Sequence, residues 1–300
     1  MENTRFFNII LLVLSMASFS STDAATLIAG DQYKGGSMIN SPWTGVSFRI
    51  PPGFIASYDN QTGAMVVSNN ADVTLAVYGA SEGDLETVGE LVVEAVKELG
   101  IKLSTQQVTR PDTKTLNATF SAWVNNQPRS MLGTVRKGPY NNVISIMGLG
   151  MSGQEQKVQN TIQSIAATLQ WKQPTAQNQR HRLAGKSLYR SSGSSDGSSG
   201  PGGFTASTSH KTQIDFCSNG QYGYQSVTES YVSTSGASMP HKSSSGHQGL
   251  WWLVADLGGS FYLYLESNQN KYYMWQVSET NNGANVDGAN YSVSQSSLCS

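Results

Sequence analysis

The chain is poor in charge and in cysteine. Only 13% of its 300 residues are Asp, Glu, Lys or Arg, about half the ~25% usual for soluble domains. Nineteen basic residues against twenty acidic ones leave a formal charge of −1, which gives no electrostatic footprint for nucleic acid. Hydrophobic residues nevertheless make up 38% of the chain, so a disordered, charge-solvated polymer is also excluded. In place of charge stand uncharged polar residues and 30 glycines, a composition suited to β-rich domains with many turns. The longest apolar stretch, Phe6 to Phe19, contains Asn8 and Ser15 and falls short of the ~20 residues that span a bilayer. No Gly-x-Ser-x-Gly elbow stands between a strand and a helix. Gly193-Ser194-Ser195-Asp196-Gly197 lies instead in low-complexity sequence.

What is present begins with an export signal. Arg5 precedes an apolar core from Phe6 to Leu14, and small residues lead to Thr22-Asp23-Ala24 before Ala25. This is the n-, h- and c-region order of a secretory signal peptide over residues 1–24; the rival reading is a membrane anchor. Cleavage removes Glu2, Arg5 and Asp23 and leaves a neutral mature chain with no membrane span. Export to the periplasm or the medium also accounts for the two cysteines, Cys217 and Cys299. In an oxidising compartment such a pair is most simply a disulfide, with two free buried thiols as the alternative.

Residues 30–172 read as an α+β domain, an antiparallel sheet covered by helices. Strand patterns occur at 46–50, 64–67 and 73–78. Leu85, Val88, Leu91, Val92, Ala95, Val96 and Leu99 then recur at helical spacing, with Asp84 as N-cap and Gly100 as terminator. Four strand-like stretches follow, near 103–109, 115–124, 129–137 and 142–148. Ser152 to Glu155 has the spacing of a capping box for a second helix, whose buried stripe runs from Val158 to Leu169. Glu90, Glu94 and Glu98 share a face of the first helix and read as solvated surface rather than a cation site. The opening Phe48-Arg49-Ile50-Pro51-Pro52-Gly53-Phe54, with this order of elements, resembles the PsbP-like and DcrB-like α/β/α domains. The resemblance implies a non-catalytic, extracytoplasmic or lumenal accessory role.

Residues 173–182 are polar, contain Pro174 and read as a linker. Beyond them, residues 183–300 hold more than half of the aromatic residues and few charges. Residues 191–200, six serines and three glycines among them, read as a flexible loop. Asn219-Gly220, Gly258-Gly259 and Asp287-Gly288 are hairpin signals. Six to eight short antiparallel strands predict a small all-β barrel. The marks Ile214 to Tyr222, Gly249 to Trp252 and Asp287 to Tyr291 resemble small lipocalin-like β-barrel modules of bacterial exported proteins.

No catalytic residue, metal site or cofactor emerges. All four histidines lie beyond residue 180, and His241 and His247 stand six apart with no helix to align them. The candidate binding surface is aromatic: Trp251, Trp252, Tyr262, Tyr264, Tyr272, Tyr273 and Trp275, with Tyr291 nearby. Tyr262, Tyr264 and Tyr272 are expected to form an exposed platform on adjacent strands. The expectation is an exported, non-catalytic binding or accessory protein that contacts a protein or an envelope component. The alternatives are a carrier of a small apolar ligand inside the barrel and an exported hydrolase.

Overall fold

The computed structural model describes residues 25–69, 72–98, 100–176, 179–197, 205–234 and 237–299. The expected signal segment lies outside them. The chain divides into two compact units, one made of Met1–Gln177 with Val254–Phe261, the other of Asn178–Leu253 with Tyr262–Ser300. The first is mixed α and β, and the second contains a closed antiparallel barrel.

Unit one contains strands β1 (Ala25–Thr26), β2 (Gln32–Lys34), β3 (Met38–Ser41), β4 (Val46–Arg49), β5 (Ile55–Asp59), β6 (Ala64–Ser68) and β7 (Val73–Ala80). Helix α1 (Leu85–Glu98) follows, then β8 (Lys102–Asp112), β9 (Thr115–Val124), β10 (Gln127–Lys137), β11 (Val143–Met151), helix α2 (Glu155–Ala166) and β12 (Gln170–Trp171). Eight strands form the large sheet in the order β2-β5-β6-β7-β11-β10-β9-β8. The expected four-stranded meander is β8 to β11. Asn125 and Asn126, both at positive φ, make its tight β9–β10 turn. A second sheet, β1-β3-β4-β12, takes up the first strand expected from sequence.

The helices follow their apolar stripes. Asp84 caps α1 by accepting from the Thr87 amide at 2.8 Å, and Gly100 ends it at φ 80°. Leu85, Val88, Leu91, Val92 and Val96 are buried. Helix α2 differs from expectation at its start. Its N-cap is Gln154, with no side-chain cap hydrogen bond, so Ser152 forms no capping box. Glu155 instead accepts from the Gly153 amide at 3.2 Å and from the Ser130 hydroxyl. Val158, Ile162 and Ile165 pack with Ile144 and Ile146 of β11 and with Ile39, Val46 and Phe48 of the small sheet.

Val254–Phe261 completes this unit. Leu257, 1% exposed, lies in the same apolar cluster as Phe48, Ile144 and Ile162. Ser81 and Ala255 exchange two hydrogen bonds of 3.0 Å, the Ser81 amide donating to the Ala255 carbonyl and the Ala255 amide to the Ser81 hydroxyl. The buried Asp256 carboxylate accepts from the Tyr58 hydroxyl at 2.7 Å and from the Gly258 and Ser260 amides at 2.9 Å. A side chain at Gly258 would place its Cβ 2.3 Å from the Tyr58 ring, so this close approach requires glycine.

Unit two opens with a 3-10 turn, Gln179–Arg182, followed by β13 (Lys186–Gly197), β14 (Thr205–Phe216), β15 (Gln221–Thr234), β16 (Ala237–Ala255), β17 (Phe261–Ser267), β18 (Tyr272–Thr280), β19 (Gly283–Val286) and β20 (Ala289–Gln295). They close in sequence order into an eight-stranded barrel. Asp287 and Gly288, both at positive φ, form a two-residue turn between β19 and β20. Residues 191–197, expected to be loop, instead pair with β14 as part of β13; backbone ladder bonds outweigh the low side-chain propensity there. Residues 198–200 lie outside the described residues. Cys217 and Cys299 form a disulfide with their Cα atoms 4.8 Å apart. Loop-closure entropy values a link of this span at about 4.5 kcal/mol.

Burial pushes the Asp256 carboxyl up to about 6, against the lowering effect of the Tyr58, Ser260 and Gly258 hydrogen bonds. Its folded value therefore lies above its unfolded one, and stability should fall as pH rises from about 4 to 6, by up to about 3 kcal/mol. Urea denaturation of Asp256→Asn across that window should show the slope removed. Leu257→Ala should cost about 2–5 kcal/mol in the same assay.

Candidate functional site

Register decides which side chains line the barrel. Across β13, β14, β15 and β16 the residues Leu188, Ile214, Tyr224 and His247 stand in one row, and Phe216, Tyr222 and Gly249 in the next. Leu188, Ile214 and Phe216 are fully buried, so this face is the lumen. Side chains alternate along a strand. The lumen face therefore continues outward through Arg190, Ser192 and Ser194 on β13 and through Thr212, His210 and Thr208 on β14. On β15 it continues through Ser226, Thr228 and Ser230, and on β16 through Ser245, Ser243 and His241. Toward the other end of β16 it includes Trp251 and Leu253.

The lumen changes character along its length. At the Trp251 end it is an apolar plug. Trp251 is 0% exposed, meets Phe216 edge-on at 5.0 Å and donates its indole N–H to the Cys217 carbonyl at 3.1 Å. Next comes an aromatic layer. The His247 ring is stacked between Tyr224 at 4.6 Å and Tyr273 at 5.2 Å, within 14° and 13° of parallel. Trp275 leans on Tyr273 at 5.7 Å and on Tyr224 at 6.3 Å. Tyr222 Oη and His247 Nδ1 share a hydrogen bond of 2.7 Å. Beyond that layer the same strand face is hydroxylic, and its outer positions, among them Ser194, Thr208, His210 and His241, are exposed. His210 Nδ1 lies 2.8 Å from the Thr228 hydroxyl, and its Nε2 lies 3.4 Å from Ser226 and 3.5 Å from Thr212.

Burial fixes the protonation in the aromatic layer. It pushes the Tyr222 phenol well above its ordinary 10, with the nearby Tyr273 phenol adding to the rise, so Tyr222 keeps its proton and donates. Burial first and Lys271 second hold His247 below its ordinary 6.5, so it is neutral at pH 7 and accepts on Nδ1. Tyr291 is linked to Arg190 and sits above its ordinary value, chiefly through burial. A planar imidazole between two phenol rings, with hydroxyls beyond, offers stacking surfaces and hydrogen-bond partners to an amphiphilic ligand.

The structure places the seven aromatic residues expected as a binding surface in different surroundings. Tyr273 and Trp275 join the lumen layer. Trp251 belongs to the plug. Trp252, half-buried, lies under the Arg180 guanidinium at 5.5 Å, and Arg180 also donates to the Trp251 carbonyl at 2.7 Å. Tyr262 is 4% exposed, which removes it from an exposed platform, while Tyr264 and Tyr272 are half-buried. Sequence reading missed Tyr222, Tyr224, His210 and His247 as neighbours. The signal was the Asn219-Gly220 turn, which sets the β14–β15 register and thereby puts Tyr222 and Tyr224 on the Phe216 face. His241 and His247 share the lumen face but stand roughly 20 Å apart along an extended strand, too far to bind one metal ion.

Comparison with known proteins adds little. No protein-family model matches the chain, and no curated protein matches it. Among solved structures it is similar to the solution structure of cyanobacterial PsbP (CyanoP) from Synechocystis sp. PCC 6803. That match has 15% identity and a TM-score of 0.34, and covers 52% of this chain and 99% of that one. A likeness at that score carries no argument about function.

The plug and the aromatic layer should respond differently to change. Trp251→Ala should cost about 3–5 kcal/mol of stability in urea denaturation, whereas Leu250→Ala, at a position 44% exposed, should stay within about 0.5 kcal/mol. Because His247 is depressed in the fold, its NMR titration midpoint should lie below 6.5, and acidification through that range should reduce stability.

Proposed function

We propose that the chain is an exported, non-catalytic binding protein that engages an envelope component through the lumen of its C-terminal barrel. The observation that supports this reading most is the change along one strand face from a buried apolar plug, through a half-buried aromatic layer, to exposed hydroxyl-bearing positions. A fold needs the plug for stability. It has no comparable need for polar side chains along the inner face of strands that run on beyond it. The signal-like residues 1–24 and the Cys217–Cys299 disulfide are compatible with export. Among the described residues no helix is long and apolar enough to cross a membrane.

Carriage of a small apolar ligand is less well supported, because the apolar part of the lumen is filled by Leu188, Ile214, Phe216, Trp251 and Leu253, all buried. The exported-hydrolase alternative needs an activated nucleophile. The imidazole that meets Ser and Thr hydroxyls on this strand face is His210, beside Thr228, Ser226 and Thr212, and no carboxylate stands in its row on β13 to β16 to orient the ring.

Co-sedimentation with a purified envelope preparation from the producing cell tests the proposal. Wild-type protein should pellet, and its intact mass should begin at Ala25. Ser230→Trp, which places a bulky ring on the lumen face, should leave the protein in the supernatant. Tyr231→Ala, one residue along and on the opposite face, should still pellet. Equal behaviour of the two variants would refute the lumen as the site.

A further inference from the structure

The large sheet of the N-terminal unit has a hollow on one face. Gly89 of α1 lies against Val135 and Leu116, so α1 packs on the Val135 face. Register puts Ala64, Tyr78, Ser145 and Val135 in one row of that face, and Val66, Ala76, Met147 and Gly133 in the next. A third row holds Thr74, Leu149 and Met131. Ala64 and Ala76 have little bulk, and the Met147 side chain lies over Gly133, where an added Cβ would collide with its Sδ. The space left is a cavity of about 80 Å³, bounded also by Val96 near the end of α1 and by Ile101 just after it. Apart from Leu75 and Gly148, its strand residues all belong to this one face.

Ala64, Tyr78, Val96, Ile101, Met131 and Met147 are buried, while Val66, Thr74, Ala76 and Leu149 are half-buried, so the cavity has a closed floor and an accessible rim. Among the described residues that line it, Asp59 is the one charged group. Its carboxylate accepts from the Gln61 amide at 3.0 Å and from the Thr62 hydroxyl at 2.9 Å. The Thr74 hydroxyl pairs with that of Ser68 at 3.3 Å. Tyr78 differs: it is 9% exposed, and its hydroxyl has no hydrogen-bond partner among the described residues. Burial first and Asp59 second push this phenol up to about 12, so at neutral pH it keeps its proton and is a donor without an acceptor. An unmet donor in an otherwise apolar hollow suits a ligand that brings the acceptor. Asp59 repels an anionic head group, and an ammonium would have to give up water beside a carboxylate already shared by two turn donors. The cavity is smaller than the ~150 Å³ space that admits benzene and well below the ~300–1,000 Å³ of whole-ligand sites. It therefore takes the end of a molecule, with the remainder lying across the half-buried rim.

We propose that this cavity binds the end of a small, neutral, apolar molecule carrying a hydrogen-bond acceptor, which takes the Tyr78 hydroxyl while the carbon chain lies against Val66, Ala76 and Leu149. The site belongs wholly to the N-terminal unit and is independent of the barrel reading. Methyl NMR of the full mature chain, labelled on its methionine methyls, tests it with pentyl methyl ketone as the probe and with hexanoate and hexylamine as charged counterparts. The ketone should shift the Met131 and Met147 signals saturably and leave Met274, on β18 of the barrel, unmoved. Tyr78→Phe should weaken binding about three- to tenfold, the worth of one neutral hydrogen bond, and Ala76→Leu, which fills the hollow, should abolish it. Tyr78→Phe removes only an unpartnered hydroxyl, so it decides the matter should Ala76→Leu fail to fold. The proposal is overturned if Met131 and Met147 do not respond, if Tyr78→Phe leaves the affinity unchanged, or if folded Ala76→Leu still responds. Hexanoate or hexylamine binding as tightly as the ketone would overturn it too.

Discussion

Strand register governs everything that the C-terminal barrel presents. The Asn219-Gly220 turn, closed by the Gly220 amide donating to the Cys217 carbonyl at 3.0 Å and the Cys217 amide to the Gln221 carbonyl at 2.8 Å, fixes β15 against β14. From that point the pairing runs without a break for twelve residue pairs. A slip of β14 by one residue would turn Ile214 and Phe216 outward and bring Gln213 and Asp215 into the lumen. Burying that carboxylate in the apolar part of the barrel would cost far more than the side chains now there. The plug therefore selects the register, and the register in turn places His210 and His247 on the same strand face as Phe216.

Much of this was readable from residues alone, for identifiable reasons. Helix α1 has a clean apolar period, an aspartate at its cap and a glycine at its end, and each acts locally. The hairpins at Asn219-Gly220 and Asp287-Gly288 stand where expected, because the positive φ of Gly220, Asp287 and Gly288 is a local property of the turn rather than of the fold. The disulfide pairing also agrees with the two-cysteine reading. Two kinds of feature were not legible. Serine-rich 191–197 looks like loop by composition and becomes strand only because β14 offers it a full ladder of partners. Ser152 has the sequence of a capping residue, yet the helix begins later, where Glu155 finds Ser130 across the sheet.

The candidate site shows the same division. Trp251, Tyr273 and Trp275 stood out as large aromatics, but their roles differ by position along a strand, and position is a property of pairing. Tyr262 and Tyr264 alternate in sequence, while the structure buries the first more deeply than the second. His247 looked isolated among serines and glycines. It acquires its ring contacts only once β15 and β18 bring a phenol to each face of its ring, and a long-range arrangement of that kind leaves no trace in local spacing.

Val254–Phe261 has a consequence for biogenesis. A chain delivered from its N-terminus presents residues 25–177 long before Leu257 appears, so the apolar cluster around Phe48 and Ile162 must wait with one of its members missing. Until then the Tyr58 hydroxyl has no Asp256 to meet, and the cluster lacks Leu257. Completion of that cluster is thereby tied to the arrival of the late half of the chain.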